Sequence, residues 1–561
     1  MFRVFKKEIE TELSKFLDTD VSRFLRESEH ADLSCTIAFK LAKEQKRSPD
    51  EIATEITNAV AADLSDNVGS IEVVNGYINF NASYEFLEDV VNTILDEDED
   101  YGSMTEQGNV LIEHTSANPD GPLHIGHIRN SVIGDTLARI FRKAGLNVKT
   151  HYYMNDMGRQ VALAILGIRR FGLNVNDKKP DHAVADVYIA INRIMEENEE
   201  EKEKIEREVE EIMLEYELGN EEVSKEFREV VEKAYEGIKQ TLERLNIQHD
   251  EVVWESEFIR NGYVDRVLKK IEELGLLKKD GAWYVDLKSK GFEKDVVVRR
   301  ENGTSLYITR DLAYHVWKNE NFERFINILG SDHKFFGKQL SDILEILNLK
   351  PPEIVFFEFV SLPEGSMSTR KGKFISADEL IERVYKEAYA IIKDREMSDE
   401  EKKEIAESVA IGALRFDFVK LAPEKPMTFD WKKALDFERQ TASYIQYSHA
   451  RACSILRKAV ENGMPDLEIV GELCSPVERD LIILLSKFTH VIERVLKELR
   501  PNVFADYVLD IAMKFNDFYR LHPVLKEEKE LRMHRLAIVD ATRIVLRNGL
   551  EVLGIKPLER M

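Results

Sequence analysis

The sequence predicts an α/β protein in which a parallel-sheet unit follows an α+β module and precedes an all-α domain. Three observations predict this. Residues 109–114, NVLIEH, read as a buried strand; from 124 onward Ile128, Val132, Ile133, Leu137, Ile140 and Phe141 recur at near-3.6 intervals until Gly145; and 148–153 returns to a strand pattern. Strand, helix and strand in that order form a βαβ unit, which implies parallel strands joined by a right-handed crossover. Beyond about residue 380 the apolar residues keep a helical period to the end of the chain.

Taken in order, residues 1–105 open with an amphipathic helix carrying Val4, Phe5, Ile9, Leu13, Phe16 and Leu17. A strand pair follows at 70–83, SIEVVNGYINFNAS, then a helix with Phe86, Leu87, Val90, Val91 and Ile94. The acidic stretch 96–104, DEDEDYGSM, reads as a solvated linker. The parallel-sheet unit spans 106–380, and strand candidates at 296–299, 325–329 and 354–360 are expected to extend its sheet. A helical insertion at about 171–250 interrupts it. Within that insertion 196–233 holds 17 acidic against 6 basic side chains and reads as a solvated face. A helical connecting region at 381–437 leads to the all-α domain, 438–561.

Composition removes several classes of function. With 561 residues, 43% hydrophobic and 33% charged, the chain is globular rather than disordered or membrane-embedded. Its aliphatic run at 481–485 is far short of the ~18 residues that a membrane span needs. The start, MFRVFKKEIETEL, lacks a signal peptide's apolar block. Cys35, Cys453 and Cys474 form no CxxC pair, so neither a disulfide framework nor a cysteine zinc site is expected, and a reducing cytoplasmic compartment fits. The net charge of −25 would argue against nucleic acid if it were spread evenly. It is not. Segment 439–460 has four basic and no acidic residues, interleaved with Tyr444, Tyr447 and His449, and 520–561 has 9 basic against 6 acidic. A polarised surface is therefore expected, with the acidic insertion facing away from a basic, aromatic face.

Two motifs carry chemistry. In HTSANPDGPLHIGHIRN, 114–130, Pro119, Gly121 and Pro122 make a turn between the strand and the helix, and His124 to His127 open that helix. Two imidazoles at i and i+3 on a first helical turn, where unpaired N–H groups favour anions, make a phosphate-binding arrangement. The alternatives are an N-capping turn with incidental histidines and a zinc pair; zinc would require further ligands, and no HExxH or nearby Cys exists. Gly126 keeps the space beside the rings open. The second motif, SMSTRKGKF at 366–374, is a basic, hydroxyl-rich loop after a strand. Together they place a phosphate site at the C-terminal ends of parallel strands, where open α/β sheets bind nucleotides.

HIGH at 124–127 and SMSTRKG at 366–372 resemble the two signatures of class I aminoacyl-tRNA synthetases. The wider strings IEHTSANPDGPLHIGHIRN, YMNDMGRQ (153–160), SLYITRDLAY (305–314) and VDATRIVLRNGLEVLGIKPLERM at the C-terminus resemble arginyl-tRNA synthetases over almost the whole chain. The resemblance implies a Rossmann-type catalytic domain at 106–380, an N-terminal module that contacts the tRNA elbow and a C-terminal anticodon-binding domain. It implies an arginine–tRNA ligase that uses ATP with Mg²⁺, L-arginine and the tRNA for arginine, without a structural metal or a membrane, as a cytoplasmic monomer. Another class I synthetase and a HIGH-type nucleotidyltransferase remain the alternatives.

The residue assignments that the resemblance implies are specific. Arginine would be met by Glu113, Ser116, Asn118, Tyr307, Asp311 and His333. A guanidinium is a planar fork of five donors that stays charged, so carboxylates of matching geometry suit it. Asp311 could also be a helix N-cap before LAYHVW, and the two roles are compatible. ATP would be served by His124, Gly126, His127, Met367, Ser368 and Lys371. The general signature carries lysines at the positions of Ser366 and Thr369. Gly121 stands where many relatives with that loss place a compensating lysine, which leaves Arg370 and Lys371 as the expected charges. For tRNA, Tyr444, Tyr447, Arg451 and Met561 are expected in the anticodon domain. Asn79 and Phe80 are candidate base contacts in the N-terminal module, with a strand-core role for Phe80 the open alternative.

Overall fold

Val110, Leu111 and Ile112 lie on strand β1 (Asn109–Glu113) and are buried on both faces of the sheet, which is why the segment is continuously apolar rather than alternating. The computed structural model describes residues 1–561 apart from 293–294, 364–374, 437–439 and 464–466. Helix α1 (Ile125–Lys143) follows β1 and returns the chain to β2 (Asn147–Met154). The remaining strands are β3 (Glu251–Trp254), β4 (Arg324–Gly330) and β5 (Glu353–Phe357). Their order is β3-β2-β1-β4-β5 and every pairing is parallel. The chain winds outward from β1 in one direction, then crosses to the other side at β4. The C-terminal ends of β1 and β4 thus form the crevice where a doubly wound sheet binds ligands. In register, Glu113 ends β1 between His151 of β2 and Asn327 of β4.

Of the expected strands, 296–299 belongs elsewhere. Val296–Arg299 pairs antiparallel with Ala282–Val285, which pairs with Leu277–Asp280, in a separate three-stranded sheet. Gly281, at φ 70°, allows the tight reversal between the last two. The alternating burial of Val296–Arg299 marks a half-covered antiparallel strand, not a central parallel one. The fifth strand of the main sheet is β3, just beyond the insertion.

Residues 180–244 of the insertion form three helices, Pro180–Glu197, Glu199–Glu217 and Glu221–Arg244, packed with Arg159–Phe171. Ile205, Val209, Ile212 and Tyr216 make one buried stripe and Phe227, Val230, Val231 and Ala234 another. The acidic residues lie outside, many in i,i+3 or i,i+4 pairs with lysine or arginine such as Glu199–Lys202 and Arg228–Glu232.

The N-terminal module carries a four-stranded antiparallel sheet in which the hairpin Val68–Val74 and Tyr77–Ala82 turns at Asn75 and Gly76, both at positive φ. Strand alternation turns Phe80 into the core with no exposed surface. Asn79 is also buried, and its Oδ1 accepts from Ser34 Oγ at 2.5 Å. Both residues are thus buried in this structure, and the strand-core alternative describes Phe80. The acidic stretch 96–104 is likewise no loose linker. The buried Tyr101 hydroxyl donates to Leu485 O at 3.0 Å, and Asn548 Nδ2 donates to Asp98 O and Tyr101 O. Gly102 has φ 86° and presses so closely on Phe488 that a Cβ would lie 2.3 Å from the ring.

Beyond residue 376 the described chain is helical apart from Met427–Thr428, which pairs in parallel with Val360–Ser361. The last helix, Lys529–Val552, is buried along most of its length and packs against Ala442–Glu461.

Candidate active site

His124 is the N-cap of α1 and His127 lies in its first turn. Gly126 N–H and His127 N–H donate to His124 Nδ1 at 3.1 and 3.3 Å, while His124 N–H donates to His127 Nδ1 at 3.2 Å. This is a capping box built from two imidazoles. An Nδ1 that accepts an N–H carries no proton, so each ring holds its proton on Nε2. The rings stack with centroids 3.6 Å apart. Burial lowers both pKa values, and for His127 the neighbouring His124 adds to it. At neutral pH the pair therefore supplies neutral hydrogen-bond donors at a helix N-terminus, not cations. A Cβ at Gly126 would lie 3.0 Å from His124 Cε1, so the glycine makes room for that ring.

The turn between β1 and α1 is strained and braced. Thr115 and Ser116 have φ 70° and 41°, a conformation that costs non-glycine residues about 1–3 kcal/mol each. Thr115 N–H donates to Asn130 Oδ1 at 2.7 Å, Asn130 Nδ2 donates to Ile328 O on β4 at 3.0 Å, and Tyr152 OH donates to Ala117 O at 2.8 Å. Asn130, the last residue of HIGHIRN, thus holds the crevice together.

Met367, Ser368, Arg370 and Lys371 lie outside the described residues, whereas the chain on either side is fixed to the start of α1. Arg129, wholly buried, donates to Glu358 O at 2.6 Å and Lys425 O at 2.9 Å. Ser376 bridges to His124, and Ala377 N–H donates to Leu123 O at 2.7 Å. The insertion grips the next residue: Asp378 accepts from Lys179 at 2.6 Å, His182 at 3.0 Å and Thr241 at 3.0 Å. Burial would raise the Asp378 carboxyl, but the bonds from His182 and Lys179 outweigh it and hold it at about 2. Asp181, His182 and Asp378 are also a cluster of metal-ligand type, and the Lys179 ammonium already lies against both carboxylates.

In the crevice, the helix α2 (Tyr307–Asn321) brings Tyr307 and Asp311 to Glu113. The helix begins after Leu306, so Asp311 is an interior residue of α2 and the N-cap alternative is excluded. Buried Lys318 donates to Glu113 Oε2 at 2.6 Å and to Asn327 Oδ1 at 2.9 Å. Asn327 Nδ2 donates to His315 Nε2 at 3.0 Å, which leaves the His315 proton on Nδ1, bonded to Asp311 O at 2.8 Å and 3.3 Å from Asp311 Oδ1. Glu255, from the helix that follows β3, is fully buried, and Arg310 Nε donates to its Oε1 at 2.9 Å. Burial pushes the Glu255 carboxyl up to about 7, with Arg310 pulling against it. Glu255 Oε2 and the Tyr153 hydroxyl are buried without a hydrogen-bond partner among the described residues. Burial raises the Tyr153 and Tyr307 hydroxyl pKa values, and Asp311 and Glu255 raise them further. The result is a buried site rich in acceptors, with two polar atoms left for a ligand to satisfy.

Of the six residues expected around arginine, Glu113, Ser116, Tyr307 and Asp311 converge here, Tyr307 with its hydroxyl desolvated although the residue is 38% exposed. Asn118 is exposed, its Oδ1 accepting from Asn155 Nδ2 at 3.2 Å. His333, also exposed, stands edge-on to Phe336, whose ring packs against Tyr307. Lys318, His315, Asn327, Glu255, Arg310 and Tyr153 were not anticipated. Asp311, His315 and Lys318 are spaced i, i+4 and i+7, one helical face, and that spacing would have found two of them.

A second concave site lies in the C-terminal domain. A cavity of about 880 Å³ is lined by Arg395, Arg451, Arg457, Lys458, Arg520, Lys526 and Arg560 with Tyr447, Tyr519 and Met561. The Arg451 guanidinium lies 4.8 Å from the ring centroids of both Tyr447 and Tyr519, and Arg395 donates to Met561 O at 2.9 Å. Tyr447, Arg451 and Met561 are thus brought together, whereas Tyr444 packs against the core and does not line the cavity.

Three family profiles match. The profile described as tRNA synthetases class I (R), catalytic domain, covers residues 90–431; the DALR anticodon binding domain covers 445–561; and the arginyl tRNA synthetase N terminal domain covers 3–82. The chain is 67% identical to the arginine–tRNA ligase of Archaeoglobus fulgidus and 48% identical to that of Methanothrix thermoacetophila, each alignment covering 100% of both chains. It superposes on the solved arginyl-tRNA synthetase of Thermus thermophilus with a TM-score of 0.86 at 29% identity, covering 100% of each chain.

Proposed function

The chain belongs to the arginyl-tRNA synthetases, the arginine-specific branch of class I, and on that premise we propose how its own residues divide the work of an arginine–tRNA ligase. The observation that carries the assignment is the buried acceptor cluster at the switch point, where Asp311 has no Lys or Arg partner among the described residues and Glu255 Oε2 and Tyr153 OH are unsatisfied. An arginine guanidinium entering between them places N–H donors on carboxylates. Lysine offers no planar fork, and citrulline leaves a buried charge unmatched.

The arginine carboxylate, directed out of the crevice past Ser116, attacks the α-phosphorus of ATP. The bond from that phosphorus to the bridging oxygen breaks, and pyrophosphate leaves with the Mg²⁺ that accompanies ATP as part of the substrate. Neutral His124 and His127 donate to the phosphates through Nε2, and Arg370 and Lys371 supply positive charge at the leaving group. The terminal adenosine hydroxyl of the tRNA then attacks the adenylate carbonyl and AMP departs. The protein positions reactants and stabilises phosphate charge. Residues 1–105 serve as the tRNA-elbow module, 106–380 as the catalytic domain and 438–561 as the anticodon domain, which the matched ranges support. The enzyme acts as a cytoplasmic monomer: its three cysteines are unpaired, in keeping with a reducing compartment, and light scattering should give one chain's mass of 64.9 kDa.

Two consequences are measurable. The Glu255 carboxyl titrates at about 7, and only its ionised form attracts a guanidinium, so the KM for arginine should fall several-fold as pH rises from about 6 to 8. Steady-state kinetics of Glu255→Gln should show that dependence flattened. On the RNA side, Arg451 between two tyrosines is a stacking platform as well as a cation, and base–aromatic stacking alone contributes ~1–3 kcal/mol. Arg451→Ala should raise the KM for tRNA roughly tenfold or more and leave the KM for ATP unchanged in aminoacylation assays.

A further inference from the structure

Lys318 is a lysine inside a pocket proposed to bind a cation. Its ammonium is fully buried and makes a 2.6 Å bond to Glu113 Oε2, a 2.9 Å bond to Asn327 Oδ1 and a cation–π contact 4.1 Å from the Tyr314 ring centroid. An unpaired buried ammonium so close to a guanidinium would repel it, since like charges in a weakly screened interior repel strongly. The pairing resolves this. Glu113 is matched by Lys318 and Glu255 by Arg310, which leaves Asp311 as the unmatched carboxylate among the described residues of the cluster. With Glu255 ionised, these side chains together carry one net negative charge for one incoming positive charge. Hydrogen bonds run from Glu113 through Lys318 and Asn327 to His315, whose Nδ1 donates to Asp311 O and lies 3.3 Å from Asp311 Oδ1.

We propose that Lys318 is a resident counter-cation of the arginine pocket, a positioning residue that neutralises Glu113 and leaves Asp311 as the charge that selects the guanidinium. This rests on the pocket assignment above, and it reverses the expectation that Glu113 and Asp311 share the guanidinium as equal charged partners. Glu113 takes part through its geometry, with Oε1 turned toward Ser116 Oγ at 3.5 Å.

The test is rescue by a second substitution in the full-length enzyme, read as arginine and ATP KM values in tRNA-dependent aminoacylation. Glu113→Gln alone strands the buried ammonium and should raise the KM for arginine ~10–100-fold. Adding Lys318→Met removes the stranded charge, restores the net charge of the pocket and should recover at least tenfold of that loss, with the ATP KM within about threefold throughout. Replacing both partners of a buried ion pair by neutral groups of similar volume is well tolerated. The double variant therefore stands as a test even if Glu113→Gln fails to fold: an arginine KM within about fivefold of the parent supports the proposal, and a rise of fiftyfold or more overturns it. No rescue of a folded Glu113→Gln variant also overturns it while leaving the pocket in place. A Glu113→Gln variant with an unchanged arginine KM would instead remove the pocket assignment itself.

Discussion

Asp311→Asn should raise the KM for arginine about 10²–10⁴-fold while the KM for ATP changes by less than about threefold. The size follows from removing the negative charge that meets a desolvated cation, which costs ~3–5 kcal/mol where each 1.36 kcal/mol is tenfold. The selectivity follows from position. Asp311 lies inside α2, a different helix from α1, whose start carries the phosphate-binding turn. Asparagine keeps the shape and can still accept a hydrogen bond, so the fold should survive, as a thermal melt would verify. Equal changes in the two KM values would remove Asp311 from the guanidinium site.

His127→Ala should slow adenylate formation ~10²–10³-fold, the usual cost of deleting one donor that stabilises developing phosphate charge. It also deletes half of the capping box, because His127 Nδ1 accepts from His124 N–H, a loss of about 1 kcal/mol of helix stability. Two further variants separate these effects. Asparagine can keep an acceptor near the Nδ1 position without a donor at Nε2, and glutamine does the reverse. His127→Asn should therefore be nearly as slow as alanine in single-turnover activation, and His127→Gln faster. A faster asparagine than glutamine variant would make the residue a cap only. The pH profile supplies a check with a definite sign. Burial keeps both histidines neutral through the ordinary histidine range, so activation should show no loss from their protonation as pH falls from 7.5 to about 6.5. Stability linked to the pair is present above the unfolded histidine pKa of ~6.5 and declines as pH drops below it, because only the unfolded chain then takes up the proton readily.

The sequence made some of this architecture legible and hid the rest for identifiable reasons. The βαβ start was readable because β1 is continuously apolar and α1 keeps a helical period, both local signals. The two histidines were readable as a helix opening, since their capping role depends on residues three apart. Neutrality was not readable, because it comes from burial and from which ring nitrogen accepts the backbone N–H. Val296–Arg299 was misplaced since a four-residue apolar run does not reveal which sheet it joins, and β3 was missed behind the insertion. The burial of Phe80 and Asn79 was left open because strand alternation alone does not say which face is covered. In the pocket, Asp311 stood in a recognisable string, and its helical neighbours His315 and Lys318 could have been found by spacing. Glu255 could not, for it reaches the site only through the crossover beyond the three insertion helices. Charge was partly legible: the basic 880 Å³ cavity includes Tyr447 and Arg451 from the acid-free segment and Arg520 from the basic stretch 520–561, while Arg395 reaches it from the loop after the helix Ala377–Ile392.

The most direct test of the account is ATP–pyrophosphate exchange with each of the twenty amino acids, with and without total tRNA. A pocket with one unmatched carboxylate at the switch point, in a chain of this family, predicts exchange with arginine alone and only when tRNA is present. Exchange with lysine or a neutral amino acid, or none with arginine under either condition, would contradict it.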